Sequence, residues 1–369
     1  VPKGYKINKI QQSFLRNVSI IQSSHPIPDT KSIFASRSVI RELQDLDNIE
    51  LVIFLISGGS SSLIVSPVPG LALTDKREIN RMLISSGADI NEINVVRKHL
   101  SQIKGGKILR SLKPRRKVIS LILSDVVGDD LSTIGSGLTY YDNSSFKDAI
   151  SILKKDSIVE HQSDSIRKGE QVLKRGLGDY SLETVKLKEF QTLSADNFII
   201  GNNQIFCQKV VCYLNSLGYD VDYKGSNLNM STSDFSKFAK ETLNRLKRDN
   251  TAIIVGGEVT NVVDKSRNGI GGRNQESICK IIESMVPLDS SDYCIICIGT
   301  DGIDGNSKSA GGLLTPSTIE RLRRKGLNVN NFIESHNSNI LLKNLHSTIE
   351  TGYTGTNFND VYLFVRSSL

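Results

Sequence analysis

The sequence predicts an α/β fold with two domains, and three observations support that prediction. Short apolar runs, such as Leu51–Ile56 and Val118–Leu123, end abruptly in small or acidic residues. Because these runs are continuous rather than alternating, they are typical of strands buried on both faces of a parallel sheet. Segments with helical periodicity separate the runs, and 369 residues are enough for two cores.

The predicted strands follow one another along the chain with a loop and a helix between them. They are Leu51–Ile56, Val118–Leu123, Phe198–Ile200, Ala252–Val255, Cys294–Ile298 and Val361–Val365. We expect the first domain over 1–235 and the second over 236–369. The pattern leaves open whether the last strand returns to the first domain.

The predicted helices have apolar residues three or four positions apart. They are Ser32–Leu46, Asp75–Ser86, Asn91–Leu112, Asn203–Leu217, Asp234–Lys247, Asn274–Met285 and a helix that begins at Pro316 and is closed by Gly326. The polar, lysine-rich stretch 146–189 lacks a strong apolar run. Surface helices and loops at a domain margin are expected there.

The composition excludes several classes of protein. With 38% hydrophobic and 23% charged residues, the chain resembles neither a disordered nor a membrane protein. Its five cysteines form no metal-spaced quartet, and no secretion signal opens the chain, so a reducing, cytoplasmic setting is expected. The net charge of +7 favours anionic ligands. Its lysines and arginines are spread without interleaved aromatics, so no nucleic acid partner is expected, whereas a homodimer stays open.

The loop after the first predicted strand is rich in glycine and serine. Its candidate binding residues are Ser57, Gly58, Gly59, Ser60 and Ser61. Glycines let backbone N–H groups approach an anion closely, and serine hydroxyls add further donors. The loop matches neither the phosphate-binding P-loop nor the dinucleotide motif, and a flexible turn explains it equally well.

A basic edge is predicted on the helix Asn91–Leu112. Asn94, Arg97, Ser101 and Lys104 recur at helical spacing, so they would share one face beside the apolar stripe. Such a face could clamp a phosphate or a carboxylate. An ordinary amphipathic helix with a charged side accounts for the same spacing.

Carboxylates follow two of the predicted strands. Asp125 and Asp129 come after the second strand, and Asp301 and Asp304, held between glycines, come after the fifth. Crowded carboxylates are costly unless a cation neutralises them, and oxygen ligands suit Mg²⁺. The alternatives are a solvated, helix-capping loop for the first pair and a capped turn for the second. We favour a metal or general-base role.

A glycine-rich turn delivers Arg273 and Asn274 to the start of a predicted helix. Arginine offers a bidentate fork to an anion, and the helix N-terminus adds its dipole. The alternative is a tight hairpin turn with a surface arginine. We favour the anion-binding interpretation.

Short motifs along nearly the whole chain carry a family resemblance. They are His25–Asp29, Ile56–Leu63, Ser86–Asn94, Val96–Gly106, Leu123–Leu131, Gly256–Glu258, Gly271–Glu276, Gly299–Gly305 and Thr354–Asn357. In their residues and in their order along the chain, they resemble the motifs of the type II glycerate kinases, which are glycerate 2-kinases with a C-terminal MOFRL domain.

The resemblance implies ATP-dependent phosphorylation of D-glycerate at the 2-hydroxyl, giving 2-phosphoglycerate. It implies a larger Rossmann-like parallel-sheet domain, a smaller C-terminal α/β MOFRL domain, and an active site in the interdomain cleft. Arg273 and Asp301 fall on functional positions of the family. The family's Gly-Lys motif would precede Val1, so we expect an N-terminal βα portion to be missing from this sequence.

Phosphoryl transfer needs a group that orients or deprotonates the acceptor hydroxyl, and it needs cations that neutralise the charge of the phosphates. We predict that Asp301 serves the acceptor hydroxyl, that Arg273 stabilises the transferring group, and that Mg²⁺ is held by Asp125, Asp129 or Asp304. The residues predicted to bind D-glycerate or ATP are Ser57, Gly58, Gly59, Ser60, Ser61, Asn94, Arg97, Lys104, Glu258, Asn274, Thr300, Thr356 and Asn357.

Two alternatives belong to other functional classes. A nicotinamide-dependent hydroxypyruvate reductase would need a dinucleotide fingerprint, and no segment supplies one. A non-catalytic protein that binds sugar acids would bind ligand without turnover.

Overall fold

The structure, a computed structural model, describes residues 1–4, 17–114, 116–155, 158, 163–261, 269–285 and 293–367. The chain forms two compact units. The first comprises Val1–Ile122 and Asp130–Ile200, and the second comprises Leu123–Asp129 and Gly201–Leu369. The main boundary thus lies at residue 200, whereas the sequence placed the domain division after residue 235.

The first unit is built on a three-stranded sheet of order β1-β2-β3. The strands are β1 (Leu51–Ile56), β2 (Lys117–Leu123) and β3 (Ala195–Gly201). Strands β1 and β2 run parallel, with Leu51 opposite Lys117 and Ile56 opposite Ile122. The parallel pairing predicted from the first two apolar runs is confirmed.

Several helices flank this sheet. They are α1 (Thr30–Gln44), α2 (Ser60–Leu63), α3 (Leu73–Ser85), α4 (Ile90–His99), α5 (Phe146–Leu153), α6 (Asp164–Gly176) and α7 (Leu187–Phe190). Helices α3 to α6 share a hydrophobic core in which Ile79, Leu153 and Leu173 are fully buried. The expectation of surface helices over 146–189 is therefore wrong for α5 and α6, because their apolar residues recur at helical spacing rather than in runs.

The predicted helix Asn91–Leu112 is also wrong in its length, since α4 ends at His99. Gly105 and Gly106 follow in left-handed conformations, with φ of 60° and 77°. A Cβ on Gly106 would lie 2.7 Å from the side chain of Val185. The chain turns here because only glycine combines this backbone angle with this close packing.

The second unit contains a mixed sheet of order β4-β6-β10-β7-β8-β9, with β5 also paired to β6. The strands are β4 (Asp220–Tyr223), β5 (Leu228–Ser231), β6 (Thr251–Thr260), β7 (Tyr293–Gly299), β8 (Gly311–Leu314), β9 (Thr348–Ile349) and β10 (Asp360–Arg366). Strand β10 lies antiparallel between β6 and β7. The expectation of parallel neighbours is thus wrong here, and the last strand belongs to the second unit.

Helices cover both faces of this sheet. They are α8 (Asn203–Ser216), α9 (Thr232–Arg245), α10 (Arg273–Met285), α11 (Pro316–Lys325), α12 (Val329–Glu334) and α13 (Ser338–Asn344). Cys207 of α8 packs with Ile254 and Val361 on one face. Phe235 and Tyr362 meet on the other face, with ring centroids 4.5 Å apart. Among the described helices, none has both the length and the apolar composition that a bilayer crossing requires.

Candidate active site

An arginine held by two carboxylates lies at one end of the second sheet. Asp360 opens β10 and stands opposite Gly257 of β6 and Gly299 of β7. Arg273 donates from Nε to Asp360 Oδ2 at 2.6 Å and from Nη2 to Oδ1 at 3.1 Å. Its Nη1 lies 2.6 Å from Glu258 Oε1. We call Arg273, Glu258, Asp301 and Asp360 the arginine–carboxylate cluster.

The position of Asp360 is fixed by its own surroundings. Its side chain is only 1% exposed. The Tyr362 hydroxyl donates to Asp360 Oδ2 at 3.1 Å and accepts the Val259 N–H at 3.0 Å. Burial opposes the charged form of Arg273, but the charge and hydrogen bonds of Asp360 outweigh it and raise the arginine pKa. The guanidinium is therefore permanently charged and held in one orientation.

Asp301, the remaining member of this cluster, lies in the loop after β7. The Ile303 N–H donates to its Oδ1 at 3.0 Å. Burial raises the pKa of Asp301, and Asp360 raises it further, whereas Arg273 opposes the shift. A Cβ on Gly299 would lie 3.1 Å from Asp301 Oδ1 and 3.4 Å from Asp360 Oδ1. Glycine here lets two carboxylates approach one strand end, and the raised pKa makes Asp301 a stronger base.

A cavity of about 440 Å³ borders Arg273 and Glu258. Its other lining residues include Gly271, Gly272, Glu276, Asn306 and His336. Burial raises the pKa of Glu258, with Asp360 and Asp125 adding to the shift and Arg273 opposing it. A volume of this size is typical of small-molecule sites.

Asp304 has a structural position at the start of α10. It accepts the backbone N–H groups of Asn274 at 3.1 Å and Gln275 at 2.8 Å. The side-chain amide of Gln275 donates to it at 2.9 Å. Burial raises its pKa to about 6, against these hydrogen bonds. Its oxygens are thus occupied in holding the helix start. Asn274 is buried beside it, and ligand binding by Asn274 stays a prediction.

The three predicted metal ligands have different surroundings. Asp129 accepts a hydrogen bond from Asn202, and Asp304 is occupied as described. Asp125 influences Glu258 electrostatically. Within the described ranges, no group of three or more His, Cys, Asp or Glu side chains is placed to hold a metal ion. Asp304 does not fit a resident Mg²⁺, because its oxygens already face N–H donors, whereas metal binding by Asp125 and Asp129 stays a prediction.

The predicted binding residues of the last two loops organise the backbone. The Thr300 hydroxyl donates to the carbonyl of Asn359 and accepts the N–H of Phe358, both at 2.7 Å. Asn357 Oδ1 accepts the Asn359 N–H at 2.9 Å, and Thr356 is exposed. The loops that carry Asp301 and Asp360 are therefore tied together. Ligand binding by these three side chains stays a prediction.

The first unit contains a separate cavity of about 270 Å³, which we call the cationic pocket. Its lining residues are His25, Pro26, Pro28, Gly59, Ser61, Ser62, Val65, Lys76, Asn80, Arg97 and Lys104. Three of these side chains are lysine or arginine, and no aspartate or glutamate is among the described residues that line the cavity. The pocket is therefore suited to an anion.

Lys104 connects several of the predicted binding residues. Its Nζ donates to the Ser61 carbonyl at 2.7 Å, to the Ser61 hydroxyl, and to Ser136 Oγ at 3.4 Å. Ser136 in turn donates to Asn94 Oδ1 at 3.0 Å. Lys104 lies beyond the end of α4, so the shared helix face was the wrong reason for grouping it with Arg97. The turn after the helix brings it to the same pocket.

The glycine–serine loop contributes to the pocket only in part. Gly59 and Ser61 line it, whereas Ser57, Gly58 and Ser60 do not. Gly59 has a φ of 81°, and a Cβ there would approach the His25 ring to 3.0 Å. The glycine is explained by this turn and close packing.

Sequence reasoning missed Lys76, Asn80 and Asp360 as site residues. Lys76 had a usable signal, because with Ile79 and Leu83 it occupies the apolar stripe of α3. Asp360 likewise begins the apolar run of β10. A charged residue in such a position is costly to bury and thereby marks a candidate site.

Known families and relatives match this chain over most of its length. Residues 2–169 match a domain of unknown function, DUF4147, and residues 251–360 match the MOFRL family. A glycerate 2-kinase of Pyrococcus horikoshii is 34% identical over 360 residues, which cover 96% of this chain and 79% of that protein. A putative hydroxypyruvate reductase of Agrobacterium vitis is 34% identical over 348 residues, covering 93% and 76%. The crystal structure of a Thermotoga maritima glycerate kinase superposes with a TM-score of 0.83 at 31% identity, covering 99% of this chain and 83% of that one.

Proposed function

Since the chain belongs to the glycerate 2-kinase family with a C-terminal MOFRL domain, we propose that it transfers a phosphoryl group from ATP to the 2-hydroxyl of D-glycerate. The product is 2-phosphoglycerate. The observation that carries this proposal is the guanidinium of Arg273, which Asp360 and Glu258 hold beside the buried carboxylate of Asp301.

Phosphoryl transfer depends mainly on positioning and on charge stabilisation. Arg273 supplies a fixed positive charge for the equatorial oxygens of the transferring group, where negative charge accumulates. Because its guanidinium is already oriented, little reorganisation is needed when the reaction begins.

Asp301 orients the acceptor hydroxyl and accepts its proton as the new bond to phosphorus forms. Burial raises the pKa of Asp301, so it is a better proton acceptor than a solvated aspartate. The hydrogen bond from Ile303 fixes Oδ1. Among the described residues, Oδ2 has no hydrogen-bond partner and is the oxygen we assign to the hydroxyl.

A divalent cation would enter with ATP as part of the substrate complex, because Mg²⁺ in phosphoryl-transfer sites is usually held by substrate phosphates with one or two carboxylates. Such a cation supplies charge neutralisation along the triphosphate. The carboxylates around Arg273 are compatible with a substrate that brings such a cation with it.

The proposal is tested by an assay that contains ATP, Mg²⁺ and D-glycerate, with identification of the product by NMR. We expect 2-phosphoglycerate and ADP in equal amounts. Formation of 3-phosphoglycerate would contradict the regiochemistry. Oxidation of NADH with hydroxypyruvate, without ADP formation, would instead support a reductase.

The role of Asp301 is tested by Asp301→Asn. Loss of the proton acceptor should lower kcat by about 10²–10⁴-fold with a small change in KM. The melting temperature verifies that the variant is folded. A folded variant with the parent's kcat would exclude Asp301 as the base.

A further inference from the structure

Lys76, Arg97 and Lys104 meet in the cationic pocket, and none of its described lining residues is a carboxylate that could neutralise them. Lys76 is 3% exposed and Lys104 is 2% exposed. Lysine is almost never buried to this extent unless it is paired, because desolvating an ammonium costs several kcal/mol. The pocket therefore carries an electrostatic cost that its own lining residues do not offset.

A neighbouring lysine shows what the fold does when the charge is structural. Lys98 lies on α4, one residue after Arg97, and is also buried. Its Nζ pairs with Asp142 Oδ1 at 2.7 Å. The fold thus supplies a carboxylate to a buried lysine nearby, whereas Lys76 and Lys104 form no ion pair with any residue that the structure describes.

The hydrogen bonds of these cations leave a defined set of donors. Lys76 donates to the carbonyls of Leu100 at 2.9 Å and Arg97 at 3.3 Å, which leaves one of its three N–H groups. Arg97 donates from Nε to Asn80 Oδ1 at 3.1 Å. To the described residues, it makes no hydrogen bond from its two terminal nitrogens. The Lys104 Nζ donates to three acceptors, which are the Ser61 carbonyl, the Ser61 hydroxyl and Ser136 Oγ, so all of its N–H groups are used.

We propose that the cationic pocket binds one small oxyanion, a carboxylate or a single phosphate group, through the terminal nitrogens of Arg97 and the ammonium of Lys76. An arginine fork matches two oxygens of one such group, and Lys76 supplies the third donor. Lys104 holds the Ser61 loop through its hydrogen bonds to the carbonyl and hydroxyl of Ser61.

The size of the pocket supports a small ligand. A volume of about 270 Å³ lies below the range of sites that enclose a drug-sized molecule, so a whole nucleotide would not fit within it. The number of free donors also suits one oxyanion rather than a triphosphate. This proposal rests on the proposed function for the source of the oxyanion, which is either D-glycerate or a phosphate group of the nucleotide.

The test is calorimetric titration of the full chain, without turnover, with D-glycerate, with ADP and with inorganic phosphate in separate experiments. Arg97→Gln removes the fork and one charge. We expect it to weaken binding of one of the first two ligands, and of phosphate, by about 10–100-fold, as for a lost charge-assisted bidentate contact. Weakened D-glycerate binding identifies the carboxylate as the source, and weakened ADP binding identifies a nucleotide phosphate.

Arg81→Gln is the matched control, because Arg81 lies on α3 and pairs only with Glu78 on the surface. It removes the same charge, and its affinities should stay within about twofold of the parent. Should Arg97→Gln fail to fold, Arg97→Lys keeps the charge and lacks the fork, so it should still lose affinity measurably. A folded Arg97 variant that binds all three ligands as the parent does would overturn the proposal.

The two proposals can fail independently. If the parent binds an oxyanion in the pocket but forms no phosphoglycerate, the proposed function is wrong and the pocket stands. If the parent is a kinase and Arg97→Gln leaves the KM values for ATP and D-glycerate unchanged, the pocket assignment is wrong and the proposed function stands.

Discussion

Asp360→Asn should impair both catalysis and stability, because Asp360 positions Arg273 through two hydrogen bonds of 2.6 and 3.1 Å. Loss of one partner of a buried ion pair costs about 3–5 kcal/mol. Here Arg273 is 35% exposed and keeps Glu258 at 2.6 Å. Solvent and the second carboxylate reduce the loss, so we expect about 1–3 kcal/mol. For a unit of this size that lowers the melting temperature by about 2–12 °C.

The kinetic effect separates a positioning role from a purely structural one. A misplaced guanidinium should lower kcat by about 100-fold, since displacements near 1 Å have effects of that size. KM for D-glycerate should change little, because Arg273 acts on charge that develops in the transition state. Steady-state kinetics and circular dichroism melting measure the two effects on the same sample.

Asp249→Asn is the matched control for Asp360→Asn. Asp249 makes a similar pair with Arg366 at 3.3 Å, but that pair lies on the surface. Its loss should cost less than about 1 kcal/mol and leave kcat unchanged. The reasoning would be refuted by an Asp360→Asn variant with kcat within twofold of the parent and a melting temperature within about 1 °C of it.

Three further predictions concern other residues. Gly272→Ala should lower the melting temperature by several degrees, because the added methyl group would lie 2.4 Å from Asp304 Cγ. Gly178→Ala is the control, since a methyl group there meets only ordinary contacts. Equal melting temperatures of the two variants would contradict this prediction. Burial holds the pKa of Lys76 near 7, below the ordinary 10.5, so the unfolded chain binds more protons between these pH values and stability should rise across them. Lys76→Met should flatten that rise by up to about 1.4 kcal/mol per pH unit in denaturation curves, and an unchanged slope would oppose it. Because the pKa of Asp301 is raised, the acid-side fall of kcat/KM should begin at a higher pH than it would for an ordinary aspartate. The pH profile of Asp301→Asn should lack this acid-side fall.

The fold could be predicted from the sequence where local pattern and tertiary role agree. The runs over β1 and β2 are parallel strands as predicted. The antiparallel insertion of β10 could not be predicted, because a fully buried strand has a continuous apolar pattern in either direction. The helix after Asn91 was overextended for a similar reason. Its apolar periodicity continues past His99, whereas the turn at Gly105 and Gly106 depends on tertiary packing against Thr184, Tyr140 and Val185.

The candidate site was predicted best where an unusual residue lies in a loop. Arg273 and Asp301 were singled out by their glycine-rich surroundings, and the structure brings both to the end of the second sheet. Asp304 shares those surroundings, yet it caps α10. The sequence could not separate the two aspartates, because their roles depend on which N–H donors the fold brings to each carboxylate.

Departures from ordinary packing mark the sites more directly than the motifs do. Lys76 interrupts the apolar stripe of α3, and Asp360 opens β10, which lies between β6 and β7 inside the second sheet. Each position lowers the stability of the folded chain unless a partner compensates. Asp360 obtains its partner from Arg273 within the second unit. Among the described residues that line its pocket, Lys76 has no such carboxylate, and a bound anion would compensate its charge. This difference distinguishes a residue that positions another from one that we propose to bind a ligand.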